Sequence, residues 1–591
     1  MQLTKDLINQ MDEVIDDCLA DEEPYCQARC PLNIDVQGYV TLIGEGKYKE
    51  ALELIRERTI FPGILGRVCA HPCEEECKRG EIEDALSIKN LKRFAADMAD
   101  DPENWDLSTA PKTGKKVAII GAGPAGATAA YDLQKKGHQV DIYEKLPVVG
   151  GMLRVGIPAY RLPEDVINEE YSILEKIGVN IHLNTEIGKD IDFEELKADY
   201  DAVFAASGSH EAVIIPIDGS ELDGVLPGAD FLRKAGLNQE LSVGKKVVII
   251  GGGNVAMDVA RTAWRVGAEE VHVSCLESRD IMPAHSWEIE DAEEEGIIMH
   301  PAWGPDKILG DKKVEGIKLK ECTKVFDEDG NFSPSYDEDN TQVIEADNII
   351  FAVGQRSDNS YLEEDNSDLN KIDEFTLQTN EAKIFGGGDC IGQPLLAVEA
   401  MAHGKKAAKS IDRYLNGADL KEDREKEGAY DCKLEKELTG EEPVRRRVDM
   451  RMIPVEERKN NFKEVEVGFN IAEAKGEALR CLECECKECV KDCLMLDQYS
   501  ESPKELFKRV KNNEVDPLVY FSCNMCSQCT IACPQDYEMD SIFMAIRKVL
   551  VKENNGESPI EGHKAIKWHQ RLGFSRLFTT TQAAVDEEDS K

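Results

Sequence analysis

Two stretches of the chain repeat one apolar rhythm. KKVAIIGAGPAGATAA (115–130) and KKVVIIGGGNVAMDVA (245–260) each pass from a β-branched run through a glycine turn into a helix-forming segment, and eight of sixteen positions are identical in register. That repeat predicts two Rossmann-type units. A strand pattern, HQVDIYEK, follows the first unit and ends near Glu144. Toward the C-terminus the pattern between two cysteine groups, and again in GHKAIKWHQRLGFSRLF, is helical. Residues 419–475 are charge-rich, carry RRRVDMRMIPVEERKNNF, and are expected to be a linker strapped along a surface. No apolar run approaches the roughly 18 residues of a membrane span, so no transmembrane segment is expected.

Length and charge narrow the picture. A chain of 591 residues exceeds one hydrophobic core and predicts several domains. The net charge of -44, from 115 acidic and 71 basic residues, argues against nucleic acid and anionic membrane as partners. The N-terminus has no apolar signal core, which points to the cytoplasm. Nineteen cysteines gathered in CxxxC and CxxC groups then predict metal ligation rather than disulfides.

The glycine turns specify nucleotides. Gly121 permits the tight turn, Gly123 lets backbone approach a pyrophosphate, and Gly126 allows helix to pack on strand. Glu144, 23 residues after Gly121, suits a ribose, and Asp389 in the late segment IFGGGDC suits the ribityl or phosphate region of FAD. Gly151 is expected at the same site. Gly251, Gly253 and Asn254 form the equivalent turn for a nicotinamide coenzyme. The return of an FAD segment after residue 380 predicts a flavin domain split around an inserted nicotinamide domain, with crossings near ASG (206–208) and AVG (352–354). KLPVVGGMLRVGIPAYRLP contains no cysteine pair, which excludes a flavin-linked redox disulfide there. Cys275, Cys322, Cys390 and Cys432 are isolated and expected to be structural.

The C-terminal cysteines have cubane spacing. Cys523, Cys526, Cys529 and Cys533 before Pro534 form CxxCxxCxxxCP, which wraps three thiolates round one [4Fe–4S] cluster and sends the fourth to a neighbour. Interleaving joins Cys493 to Cys523, Cys526 and Cys529. It joins Cys533 to Cys489, Cys486 and either Cys484 or Cys481. On this reading the C-terminal region is self-contained for two clusters.

GRVCAHPCEEEC, GGMLRVGIPAYRLP, GGGNVAMDVARTAWRVGA and DIMPA together resemble the small subunit of glutamate synthase, over roughly residues 15–415. They also resemble the large subunit of the bifurcating NADH-dependent ferredoxin:NADP oxidoreductase and the N-terminal half of dihydropyrimidine dehydrogenase. The resemblance implies electron transfer between a nicotinamide coenzyme, FAD and iron–sulfur clusters. In those relatives two arginines at the end of the second unit's strand pair with the 2′-phosphate of NADPH; here Leu276 and Glu277 stand there. A carboxylate repels phosphate and accepts from a free 2′-hydroxyl, so NADH is expected, with NADPH held by Arg279 as the alternative.

The same resemblance implies two N-terminal clusters, one on Cys18, Cys26 and Cys77, the other on Cys30, Cys69 and Cys73. Asp21 and Lys92 stand where further ligands are expected. A carboxylate oxygen can bind iron, whereas a protonated lysine is no ligand, and loss of a cluster is the alternative. Residues 476–578 resemble the helical ferredoxin subunit of heterodisulfide reductases, without the cysteine-rich catalytic domain.

The expected architecture is therefore α/β, with two Rossmann-type domains flanked by helical iron–sulfur domains. An N-terminal iron–sulfur domain (1–110) precedes the leading FAD-binding segment (111–243), the NAD(P) domain (244–344) and the returning FAD-binding segment (345–418). The linker (419–475), the dicluster domain (476–578) and an acidic tail (579–591) follow. The expected function is a cytoplasmic electron-transfer subunit whose partners are other redox subunits, a cysteine-rich reductase subunit first, or ferredoxin. A glutamate synthase small subunit and a non-catalytic iron–sulfur bridge are the alternatives.

Overall fold

The apolar runs of both Rossmann repeats become central strands because every residue after the first is buried on both faces of a parallel sheet. In the computed structural model, which describes residues 2–575 apart from 363–368, 393, 425, 435–437 and 439, two five-stranded parallel sheets result. The expected tail at 579–591 lies outside the described residues. The first sheet has the order Ile384–Gly386, Ala202–Ala205, Lys116–Ile120, Gln139–Glu144, Asn180–Leu183. Its edge strand comes from after the second sheet in sequence, as a split flavin domain requires.

The second sheet has the order Val225–Pro227, Asn348–Phe351, Lys246–Ile250, Glu270–Cys275, Ile298–Pro301. The expected boundaries at 243/244 and 344/345 therefore shift outward. Val225–Pro227 and Asn348–Phe351 pair with each other, and the latter with Lys246–Ile250, so both belong to the inserted domain. An antiparallel ribbon of Trp303–Gly310, Val314–Phe326 and Phe332–Glu345 adds a layer that was not anticipated. Ile317 and Leu319 are buried with Val248 and Ile250 of the second sheet.

The chain divides into two compact units. One contains Tyr25–Asp431 and Pro443–Leu482, hence both sheets and most of the N-terminal helices. Within it the charged segment after 443 is pinned by ion pairs: Arg458 reaches Glu294 at 2.7 Å, Arg447 reaches Glu74 at 2.8 Å, and Glu464 receives Arg67 and Arg93 at 2.8 Å each.

The other unit contains the residues up to Pro24, the segment Cys432–Glu442, and the chain from Glu483 onward. The expected N-terminal domain thus loses its first 24 residues to the C-terminal helices. The reason is a stripe on the helix Lys5–Asp17: Leu7, Met11 and Val14 recur at helical spacing and are buried with Leu506, Phe507, Val510, Phe543 and Ile546. Burying each contributes about 1.5–3 kcal/mol. Among the described residues, no helix is long and apolar enough to cross a membrane.

Candidate functional site

The first glycine turn, the start of the helix that follows the second turn, and one cysteine line a single cavity of about 330 Å3. Its lining includes Gly121, Gly123, Glu144 and Gly151, with Gly388 and Asp389, Asn254 and Asp258, and Cys69. A neighbouring cavity of about 560 Å3 shares Gly121, Glu144, Ser207 and His210 with it.

The first turn has the shape a dinucleotide needs. Gly121 has φ +105°, and a Cβ there would meet Ala206 O at 2.4 Å; a Cβ on Gly126 would meet Gly121 O at 2.1 Å. At Gly123 a Cβ would meet nothing within 4 Å, so the backbone faces open space at the N-terminus of helix Pro124–Lys135. That combination suits a pyrophosphate. Glu144 accepts from the Ala122 and Leu146 N–H groups at 2.8 Å each, which fixes its carboxylate at the turn. Burial nonetheless pushes its carboxyl up. Asp389, also raised by burial, accepts from the Leu395 N–H at 3.0 Å. Burial holds His403 down at about 4, so its neutral ring presents Nδ1 to the Gly388 N–H. These donors and acceptors fit FAD.

The second turn repeats the arrangement. A Cβ on Gly251 would meet Ala352 O at 2.2 Å, and Gly253 again opens on empty space. Asn254 begins the helix Asn254–Arg265 and accepts from the His285 N–H at 2.9 Å. Glu277 is directed at this turn, since a Cβ on Gly252 would lie 3.1 Å from its Oε2. Arg279 is engaged elsewhere, in an ion pair with Glu293 at 2.9 Å. The helix is anchored by buried charges that sequence reasoning did not single out: Arg161 donates to Asp258 at 2.6 Å, and Arg265 to Glu295 at 2.6 Å.

The cysteines gather in several places. Cys30, Cys69 and Cys73 line one small cavity with Tyr39 and Lys92. Lys92 is buried; burial opposes its charge, but Cys69, Cys73 and Cys30 hold its pKa above the ordinary lysine value. Position 92 therefore faces this site with an ammonium, which cannot ligate iron. Cys26 and Cys77 adjoin a second contact, in which the Lys78 Nζ sits 4.9 Å over the Tyr25 ring. Cys481 follows the fully buried Arg480, which donates to Glu477 at 2.6 Å and Ala85 O at 3.3 Å.

In the C-terminal unit Cys529 is raised to about 11 by burial and by Cys493 and Cys523. Burial also raises Cys523, with Cys493 and Cys526 acting in the same sense. These four are the expected group. The second expected group changes. Cys18 was expected with Cys26 and Cys77, but it lines a small cavity with Cys486, Cys489 and Cys533. Asp21 likewise turns to Lys504, at 3.2 Å. The buried stripe of the first helix carries both residues to this place.

Family comparisons agree with the flavin, nicotinamide and iron–sulfur layout. Residues 115–404 match the pyridine nucleotide-disulphide oxidoreductase model, 7–104 the dihydropyrimidine dehydrogenase domain II 4Fe-4S cluster model, and 480–538 a 4Fe-4S dicluster domain. The NADP(+)-dependent formate dehydrogenase subunit beta of Moorella thermoacetica is 40% identical over 500 residues, covering 78% of this chain and 70% of that protein. The glutamate synthase [NADPH] small chain of Escherichia coli K12 is 34% identical, covering 68% and 90%. The NAD-dependent dihydropyrimidine dehydrogenase subunit PreT of Salmonella typhimurium is 33% identical, covering 68% and 93%. The chain belongs to this family of FAD- and NAD(P)-binding iron–sulfur oxidoreductase subunits.

Two aromatic contacts at the site escaped sequence reasoning. His285 stacks on Trp287 at 4.3 Å between ring centroids, and Trp287 packs on His71 at 4.7 Å. The His71 N–H points at Cys69 Sγ, 3.4 Å away. An aromatic bridge therefore runs from the coenzyme turn, through Asn254 and His285, to the Cys30–Cys69–Cys73 site. His285 and Trp287 are neighbours in sequence but His71 comes from a distant segment, so only the DIMPA segment just before His285 offered a signal.

Proposed function

We propose that the chain is the electron-entry subunit of a cytoplasmic multi-subunit oxidoreductase, accepting hydride from NADH and passing electrons singly through [4Fe–4S] clusters to a partner subunit. The observation that carries this reading is the shared cavity: the flavin turn, Asn254 at the start of the helix after the nicotinamide turn, and Cys69 all line it. Bound FAD supplies the conversion between a hydride and single electrons. The chain's own work is to bind and to exclude water. Gly121–Gly126 and the helix that follows hold the pyrophosphate, Glu144 the ribose, and Gly151 and Asp389 the ribityl side. No side chain is required to act as acid or base in hydride transfer.

The choice of NADH rests on Glu277 beside Gly252, and on Arg279 being committed to Glu293. The names of the Moorella and Escherichia relatives specify NADP or NADPH and that of the Salmonella relative NAD, so the residues rather than the relatives support this choice. For the clusters, Cys30, Cys69 and Cys73 are assigned to one, Cys26 and Cys77 to a second, and Cys493, Cys523, Cys526 and Cys529 to a third. Cys486, Cys489 and Cys533 hold a fourth. The partner is another redox subunit, with a cysteine-rich reductase subunit the first candidate and ferredoxin the next. The glutamate synthase reading is favoured by coverage of 90% of that small chain, but it leaves the C-terminal unit without a role. Pull-down from the native host decides among these: a redox subunit should co-purify, and a lone homo-oligomer turning over an organic substrate with NADH would contradict the assignment.

A further inference from the structure

The two C-terminal cysteine groups are not equivalent. In the second, Cys523, Cys526, Cys529 and Cys533 complete the spacing CxxCxxCxxxC. Laying the first group on it aligns Cys486, Cys489 and Cys493 with the last three positions, and puts Glu483 where the first cysteine belongs. The cluster served by Cys486, Cys489 and Cys533 therefore lacks a cysteine at the position where regular spacing would supply its fourth thiolate. Cys481 and Cys484 lie near the deficient position in sequence, yet neither is among the residues lining the cavity that Cys486, Cys489 and Cys533 share.

Cys18 is there instead. It ends the helix Lys5–Asp17 with an extended backbone, ψ 124°, which turns the chain into the cavity alongside Leu19 and Ala20. The approach is held from several sides. Leu7, Met11 and Val14 are buried, the Tyr537 hydroxyl donates to Glu13 O at 3.3 Å and Asp17 at 3.2 Å, and Lys504 pairs with Asp21 at 3.2 Å.

We propose that Cys18 is the fourth thiolate of the C-terminal cluster held by Cys486, Cys489 and Cys533. The N-terminal helix is then fastened to the ferredoxin-like unit through iron as well as through its apolar stripe. This inference rests on the iron–sulfur reading given above. It also means that the C-terminal segment alone does not hold a full set of ligands for two clusters.

The test compares iron content and reduced-state electron paramagnetic resonance in the full-length, iron-loaded chain for C18S, C533S, C493S, C18S/C533S and C18S/C493S. C18S and C533S should each remove or alter the same signal, with a loss of up to about four irons. The C18S/C533S double variant should lose no more than either single variant, and C18S/C493S should lose the sum. Wild-type iron and spectrum in C18S, or a C18S loss that adds to that of C533S, overturns the assignment of Cys18 while leaving the cluster in place. Wild-type iron in C533S would remove the cluster reading itself. A second measurement needs no variant: alkylation of the native loaded chain followed by peptide mapping. Cys18 should be protected, and should become reactive together with Cys486, Cys489 and Cys533 when iron is stripped by chelator. Labelling of Cys18 while those three stay protected contradicts the proposal.

Discussion

Glu277→Arg isolates the residue on which coenzyme choice is made to depend. The Glu277 backbone carbonyl accepts from the Ala302 N–H at 2.7 Å, and that bond does not involve the side chain. The substitution therefore exchanges the head group facing Gly252 while the turn is retained. With NADH the variant loses the acceptor for the 2′-hydroxyl; with NADPH it replaces repulsion by a charge-assisted hydrogen bond. Such a bond is worth about 1–3 kcal/mol, which corresponds to a change in NADPH-over-NADH preference of roughly 5–150-fold. The assay is anaerobic stopped-flow reduction of the bound flavin at several concentrations of each coenzyme, with the ratio of second-order rate constants as readout. Wild type should favour NADH and the variant should move toward NADPH. An unchanged ratio, or equal loss with both coenzymes, would refute the reasoning, because either shows that Glu277 does not face the adenosine ribose. Glu293→Gln, which releases Arg279 from its ion pair, should move the ratio in the same direction by a smaller amount.

Lys92→Gln removes a buried positive charge beside Cys30, Cys69 and Cys73, and should lower the reduction potential of that cluster by on the order of 50–100 mV in a redox titration followed by electron paramagnetic resonance. Met11→Ala opens a cavity in the core of the C-terminal unit and should cost about 2–5 kcal/mol. Calorimetry should show it as a lowered transition for that unit, with the flavin-binding unit unmoved. Glu170 is fully buried and its carboxyl is pushed up to about 8 by burial, against bonds from the Gly63 and Ile64 N–H groups. A raised carboxyl pKa makes the native state bind the extra proton, so this group's contribution falls as pH rises from about 4.5 to 8. Denaturant unfolding should show stability declining across that range, with a shallower slope in Glu170→Gln. A fragment from residue 470 onward, which lacks Cys18, should hold one complete four-thiolate cluster rather than two.

The nucleotide-binding frame was legible because its determinants are local. A glycine turn needs specific residues at fixed offsets, and a strand buried on both faces has to be a continuous apolar run; both survive in the one-dimensional pattern at 115–130 and 245–260. The split of the first sheet was legible for the same reason, since the late IFGGGDC segment had to return to it. The antiparallel ribbon had a local signal too, in the alternation of VEGIKLKECTKVF, where Ile317 and Leu319 face inward. The grouping of the cysteines was legible only where cubane spacing is intact. Which group Cys18 joins depends on where the first helix packs. The stripe Leu7, Met11, Val14 marks that helix as amphipathic, but nothing in it names the surface of Phe507 and Phe543 as its partner. His71 meets the neighbouring pair His285 and Trp287 only after separate segments have folded, so no spacing rule could have joined it to them.

One electron path underlies the proposed function, from coenzyme through the flavin beside Gly123 to thiolate-held iron. Its most direct test is a single anaerobic experiment on the isolated, fully loaded chain. Stoichiometric NADH is added, the flavin band is followed by rapid-scan absorbance, and samples are frozen over the same interval for electron paramagnetic resonance. The flavin should bleach first, and reduced-cluster signals should follow as flavin absorbance recovers. Clusters that stay oxidised while the flavin remains bleached, or a flavin that neither NADH nor NADPH bleaches, would contradict that path.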